Sequence, residues 1–284
     1  MKDRYLRTVK KVVLYLVMIV IACLFILPFV QIVGTSLKTY KETLLSPPAI
    51  LPEVPQWSNY LYVFNHKETI PLGLWIRNSL FTTGLIVLGL MLSCSFIGYG
   101  FARFNGPGKN FWFFAIIGTM LVPVYCILIP LYRIFAFIHW RGTFLPMIVQ
   151  PFFGQAMYLF LFRQFIMSIP RDVDEAAIID GASYFTIFAR IIVPMIRPVM
   201  AAVGILTFIA AWNDFVTPLV FLTNIKLYTL PIGEALMNAT NGSAGTDTQY
   251  IACVALIAAV PSFVIYFSAQ KYFVGGIAAG AVKG

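Results

Sequence analysis

Long stretches without a charged residue alternate along the chain with short polar connections. Six stand out, at about residues 12–37, 78–102, 110–132, 142–162, 198–225 and 248–270, and only Asp214 interrupts the fifth. A helix needs about 20 apolar residues to cross a bilayer. The pattern therefore predicts an all-α membrane protein of six transmembrane helices, a single domain over residues 1–284. The first run is longer than the apolar core of a signal peptide, about 7–15 residues. It also ends in the bulky Pro28, Phe29 and Val30, so it reads as an uncleaved span. Gly84, Gly89, Gly98 and Gly100 in the second run predict close helix contacts, because small residues let backbones approach in lipid.

The most polar stretch between two of these runs, residues 171–194, separates the fourth span from the fifth. It holds Asp172, Asp174, Glu175 and Asp180, four of the eleven acidic residues. Asp172 is placed to cap a helix with Glu175 as the third residue of a capping box. The acids crowd the first turn, where the helix dipole favours them. Gly181 falls where the helix ends, a position that often takes a left-handed backbone. Ser183 is placed to cap a second helix running to Pro194. The expectation is a short helix, a glycine turn and another helix, exposed to water. Ile178 and Ile179 give the first helix an apolar face, while Ala176 and Ala177 leave its backbone approachable. Docking to another protein explains such a face; a helix lying on lipid is the alternative.

Composition agrees with a membrane protein. The chain is 60% hydrophobic and 11% charged, against about 25% charged in soluble domains. In a soluble protein a net charge of +9 would suggest nucleic acid; here the excess of basic residues on cytoplasmic loops accounts for it, and no nucleic-acid partner is expected. Six spans put both ends on one side. With the N-terminus inside, inner segments carry 13 of the 20 Lys and Arg and outer segments 7, which supports cytoplasmic N- and C-termini and a cytoplasmic 171–194 loop. The proline-rich segment from Lys38 to Arg77 then lies outside. So does the segment from Lys226 to Asp247, with a short surface helix at LPIGEALM and a small, polar loop tip. The end of the chain, YFVGGIAAGAVKG, reads as a flexible tail. Cys23, Cys94, Cys126 and Cys253 lie singly in apolar runs without metal-ligand spacing and read as packing residues.

Little catalytic chemistry is visible. His66 and His139 are far apart, and no nucleophile elbow, zinc-protease motif or paired intramembrane carboxylate is present. No catalytic residue and no metal site is expected. Asp214, beside Asn213, is the one charge inside a run. Such a residue is costly in lipid and faces the protein interior or a wet cavity. Two roles fit: a pathway or gating residue, or an interhelical hydrogen-bond anchor with Asn213. A proton-coupled carrier needs a charge relay that this chain lacks. Its energy then comes from a partner, which points back to the exposed helix pair.

Glu175-Ala176-Ala177, three residues, Gly181, nine residues, then Ile191 and Pro194: this spacing resembles the EAA loop of permease subunits in binding-protein-dependent ABC importers. Val193 stands where that pattern carries leucine. Arg163-Gln164-Phe165, Ile169-Pro170, Ile129-Pro130-Leu131-Tyr132, Ala211-Trp212-Asn213-Asp214 and the ending from Gln270 to Gly284 resemble the MalG-like branch of carbohydrate importers, so the likeness covers nearly the whole chain. It implies a type I ABC importer permease architecture, multi-pass in a bacterial or archaeal plasma (inner) membrane, and a transport subunit rather than an enzyme. The implied partners are a second permease subunit, two cytoplasmic ATPase subunits and an extracytoplasmic solute-binding protein. This chain binds no cofactor; ATP and Mg sit on the ATPase. Glu175, Ala176, Ala177, Asp180, Gly181, Ile191 and Pro194 mark the ATPase-docking coupling helix. Gly242, Ser243, Ala244, Gly245 and Thr246 form a loop that contacts the binding protein. Sugar or a related polyol is the implied cargo. The same architecture also serves solutes such as a polyamine or a phosphate ester, and a self-sufficient secondary carrier is the remaining alternative.

Overall fold

Backbone in lipid must satisfy its own polar groups, which helices do within one segment, and helices make up the regular structure of the described residues. The computed structural model describes the backbone of residues 2–47, 49–240 and 247–281, and side chains up to residue 268 from residue 8 onward; no strand occurs among them. Gly242, Ser243, Ala244, Gly245 and Thr246 lie outside the described residues. Among the described residues four helices are long and apolar enough to cross a membrane, at Thr8–Ser36, Leu72–Arg103, Leu145–Met167 and Thr248–Ser268. Two bent pairs bring the number to six if each pair is one span: Lys109–Leu121 with Val124–Phe137, and Tyr184–Met195 with Arg197–Trp212.

The bends are where the apolar pattern and the structure part. The third run reads as a straight helix, yet its halves meet at 100°. Pro123 explains the break: it has no N–H to give, and it forces Val122 into extended backbone, with φ −83° and ψ 119°. The fourth run is interrupted by a 3₁₀ turn over Gln150–Phe153 and by Gly154 at φ 88°, and resumes as Ala156–Met167. Arg197–Trp212 ends one residue before Asn213, and a separate short helix, Val216–Phe221, follows. Asp214 is therefore between helices and not inside one. At the other end, the helix expected to finish at Pro194 continues to Met195 before a 76° bend. The final helix runs through Ala281, where a flexible tail was expected.

The contacts divide the chain into two units, Met1–Leu72 with Glu234–Ala259, and Gly73–Gly233 with Val260–Gly284. In the first, the proline-rich segment folds onto the helix ends. Asn59 Nδ2 donates to the carbonyls of Ser36 (2.9 Å) and Lys38 (2.8 Å), the Cys253 thiol donates to the Ser36 carbonyl, and the Tyr62 and Tyr250 rings stack at 4.0 Å. Lys38 is buried with its ammonium on the Ala49 carbonyl. In the second unit, Phe162, Ile166, Ile187, Ile192, Ile196 and Val203 are fully buried in one core.

The glycine expectation divides. A Cβ on Gly98 would meet the Phe162 Cβ at 2.9 Å and the Arg163 backbone nitrogen at 3.1 Å, and one on Gly89 would strike the Phe152 ring. Gly84 and Gly100 have nothing within reach. The segment LPIGEALM, expected as a surface helix, is part of Leu230–Ala239 with Leu230, Ile232 and Met237 buried. The second span holds its start: Ser79 Oγ accepts from the Leu230 N–H at 2.8 Å, and Asn78 Nδ2 donates to the Lys226 and Tyr228 carbonyls.

Candidate functional site

The polar stretch folds as a helix over Asp172–Ile179. Its start differs from the expected capping box. Asp172 is the first helical residue; Arg171 holds the cap position without a side-chain cap, and its carbonyl accepts from the Asp174 and Glu175 N–H groups. The other punctuation is as expected. The Gly181 N–H donates to the Ile178 carbonyl and the Ala182 N–H reaches back to the Ala177 carbonyl, both at 2.9 Å. This bond pair is the Schellman motif, and Gly181 supplies its left-handed residue at φ 82°. Ser183 Oγ then accepts from the Thr186 N–H at 3.2 Å and starts the next helix.

The two alanines take different roles. Glu175, Ala176 and Ile179 are exposed, Ile179 at 86%, while Ala177 is 8% exposed and packs into the core. Asp180 and Gly181 are exposed at the turn. Ile191 and Pro194 are half-buried, Ile191 against the same core, so they are not part of the exposed face. Pro194 lies beside a π-helical segment, Phe188–Ile192, in which the Val193 N–H reaches back five residues to the Phe188 carbonyl. Pro194 has no N–H to donate to the Arg190 carbonyl, and the wider turn accommodates that loss.

Sequence reasoning missed the group that holds the helix. Arg103, the last residue of the second span, places Nε 2.6 Å from Asp174 Oδ2, with the side chains only 7% and 13% exposed. Its Nη2 also donates to the Ile169 carbonyl just before the helix, at 3.0 Å. Tyr99, one turn earlier, packs with Phe104 and Phe188, and Phe104 meets Tyr184 edge-on. A basic residue closing a span and an acid in a first turn are each ordinary; only the fold brings them together.

Asn213 and Asp214 each bond close by in sequence. Asn213 Nδ2 donates within its own helix, to the Ile209 carbonyl, and Asp214 Oδ1 accepts from the Thr217 N–H at 3.2 Å. Asp214 caps the short helix after the break. It also lines a cavity of about 370 Å³ with residues of the second, fourth and fifth candidate spans. Among the described residues no group of His, Cys, Asp and Glu is placed to hold a metal ion.

Residues 86–278 match the model of the family described as binding-protein-dependent transport system inner membrane component. The chain belongs to that family. This inner membrane component is similar to the arabinooligosaccharides transport system permease protein AraQ of Bacillus subtilis, with 32% identity over 98% of this chain and 97% of the relative. The melibiose/raffinose/stachyose import permease protein MelC of the same organism is 31% identical, over 99% of this chain and all of the relative. In fold it matches a bacterial ABC transporter involved in the import of the acidic polysaccharide alginate, with a TM-score of 0.83 over 94% of this chain and 97% of that one, at 19% identity. The family makes the chain a membrane transport subunit, and the matched region contains both the Asp172–Ile179 helix and the cavity.

Proposed function

We propose that this inner membrane component is one of two permease subunits of an ATP-driven sugar importer, with both termini in the cytoplasm. Its cargo is a neutral oligosaccharide of the kind named for AraQ and MelC. The observation that carries the proposal is the Asp172–Ile179 helix: it presents Glu175, Ala176 and Ile179 outward and is held from behind by the chain's own core. A cytoplasmic ATPase subunit seats that face. The ATP and Mg belong to the ATPase, and closure of two such subunits moves the helix and the spans joined to it. Gly242 to Thr246 reach the solute-binding protein on the opposite side.

A pull-down of the tagged chain in mild detergent tests this. Recovery of a second permease and an ATPase is the expected result, with a binding protein that retains arabinotriose or raffinose. Recovery of the folded chain alone, with uptake that persists without ATP, overturns the importer in favour of a carrier. Retention of a polyamine or a phosphate ester in place of sugars overturns the cargo while leaving the assembly intact.

A further inference from the structure

Two helix breaks open onto one cavity. The fourth candidate span breaks at Gly154, and the polypeptide after the fifth breaks between Trp212 and Val216. Residues from both breaks, including Gln155 and Asp214, line the space of about 370 Å³ described above. Irregular backbone at membrane depth is tolerated where it is buried in protein or lines a wet cavity, and discontinuous helices are a recurrent way of building transport sites. Side chains of the second span steady the first break. Ser93 Oγ donates to the Pro151 carbonyl at 2.8 Å, and Cys94 Sγ accepts from the Gln155 N–H at 3.2 Å. Cys94 therefore does more than pack.

The wall carries an inventory of a particular kind. Gln150, Gln155, Thr207, Thr217 and Asp214 supply amide, hydroxyl and carboxylate groups, and Tyr158 supplies an aromatic ring. Thr207 is 2% exposed and its hydroxyl has no partner among the described residues. A buried hydroxyl left unpaired costs about 1–3 kcal/mol and calls for an explanation. Among the described residues no Lys, Arg or His lines the space. Its volume suits about a dozen waters at about 30 Å³ each, or one sugar ring in their place.

We infer that this cavity is a transit subsite for one uncharged sugar ring, with Thr207, Gln155 and Asp214 bonding ring hydroxyls and Tyr158 stacking on the ring face. The inference rests on the sugar-importer reading and deepens it, because it puts a substrate contact in this subunit. A single carboxylate with no cation beside it repels phosphate esters and uronates and accepts neutral rings.

The test uses the whole complex in proteoliposomes, with its binding protein and arabinotriose or raffinose as probes. Thr207→Val with Gln155→Leu removes bonding groups from the wall without touching the coupling helix. Binding-protein-stimulated ATP hydrolysis is expected to stay within about twofold, while sugar delivered per ATP falls about fivefold to tenfold, the factor carried by one or two neutral hydrogen bonds. Tyr158→Phe keeps delivery and Tyr158→Ala loses it. Unchanged delivery in both the double variant and Tyr158→Ala overturns the subsite. So does loss of the second permease from the purified double variant, which makes the cavity a seat for that partner, and so does preferential transport of spermidine. A wild-type complex that moves neither sugar refutes the sugar-cargo reading on which the inference rests, a result distinct from all of these.

Discussion

The contact between Arg103 and Asp174 predicts what fastens the short helix to the membrane region. Asp174→Asn removes one charge from a pair 2.6 Å apart whose side chains are 7% and 13% exposed. Leaving one partner of a buried pair uncompensated costs about 3–5 kcal/mol. The helix is only eight residues long, too short to persist without tertiary support, so most of that cost falls on its attachment. At about 1.4 kcal/mol per tenfold, the detached fraction rises by roughly a hundredfold or more. Hydrogen–deuterium exchange over residues 172–182 should accelerate accordingly, while the core around Phe162 and Ile192 stays protected. In the assembled transporter, ATP hydrolysis should lose its dependence on the loaded binding protein. Replacing both partners by apolar residues, Arg103→Met with Asp174→Leu, removes the unpaired charge. It should restore much of the protection, since buried pairs and their apolar substitutes are often of similar stability. Exchange within twofold of wild type in Asp174→Asn would refute the reasoning: the pair would then be incidental and the helix held by Ala177 and the Schellman turn alone.

Other outcomes follow from the same geometry. Gly181→Ala meets open space but puts a side chain at φ 82°, which costs about 1–2 kcal/mol; Gly181→Pro cannot adopt that angle and should insert in the membrane yet abolish coupled hydrolysis, so retained coupling in the proline variant would exclude the turn from the mechanism. Ile179→Asp alters a side chain that is 86% exposed and should leave the melting temperature unchanged while weakening ATPase co-purification by about 2 kcal/mol, roughly thirtyfold, as for a central interface residue. Gly98→Ala forces a Cβ against Phe162 and the Arg163 backbone and should destabilise by about 1–3 kcal/mol, whereas Gly100→Ala should leave the thermal stability of the isolated chain unaltered. The Glu42 carboxylate is held below its ordinary 4.5 by the Thr39 and Glu53 N–H groups and the Thr39 hydroxyl; a depressed value means the cap is intact above the unfolded value and is lost as pH falls through the folded one, so the protection of the Thr39 and Glu53 amides, relative to the intrinsic exchange rate at each pH, should fall only in acid, and a fall near neutral pH would contradict this.

The apolar runs made the helical membrane architecture legible because lipid leaves a charge-free chain of that length few alternatives. They did not make the bends legible. Pro123, Gly154 and Asn213 each sit in a run that hydropathy treats as continuous, and a break depends on whether neighbours satisfy the freed backbone, as Ser93 and Cys94 do for the fourth span. The glycine turn and the Ser183 cap were readable because both are local. The expected capping box was not, because the chain enters the helix one residue early and Asp174 is drawn to Arg103 by a contact 71 positions away in sequence. Asp214 was read as a charge inside a helix; it caps the next helix at a break, and only the fold reveals the cavity beside it.

The EAA pattern also sorts into two kinds of position once the helix is seen in place. Glu175 and Ala176 look outward; Ala177 looks into the core, Gly181 makes the turn, and Ile191 and Pro194 lie in the half-buried, π-wound helix beyond it. Most of the pattern therefore holds and aims the helix, and a smaller part is free to be touched. A helix of two turns needs such support, because its own hydrogen bonds do not repay the ordering of its backbone. The support comes from three directions: covalently from the fourth span through Arg171 and from the fifth through Gly181 and Ser183, and by charge from the second span through Arg103. A force on the exposed face is then shared among those three spans. The fifth span also contributes Thr207 and the second, through Ser93 and Cys94, steadies the Gln155 backbone at the cavity. Severing the Arg103–Asp174 pair should accordingly affect the fifth span's response less than the second's. Cysteine cross-linking rates on each span, with and without ATP, would separate the two.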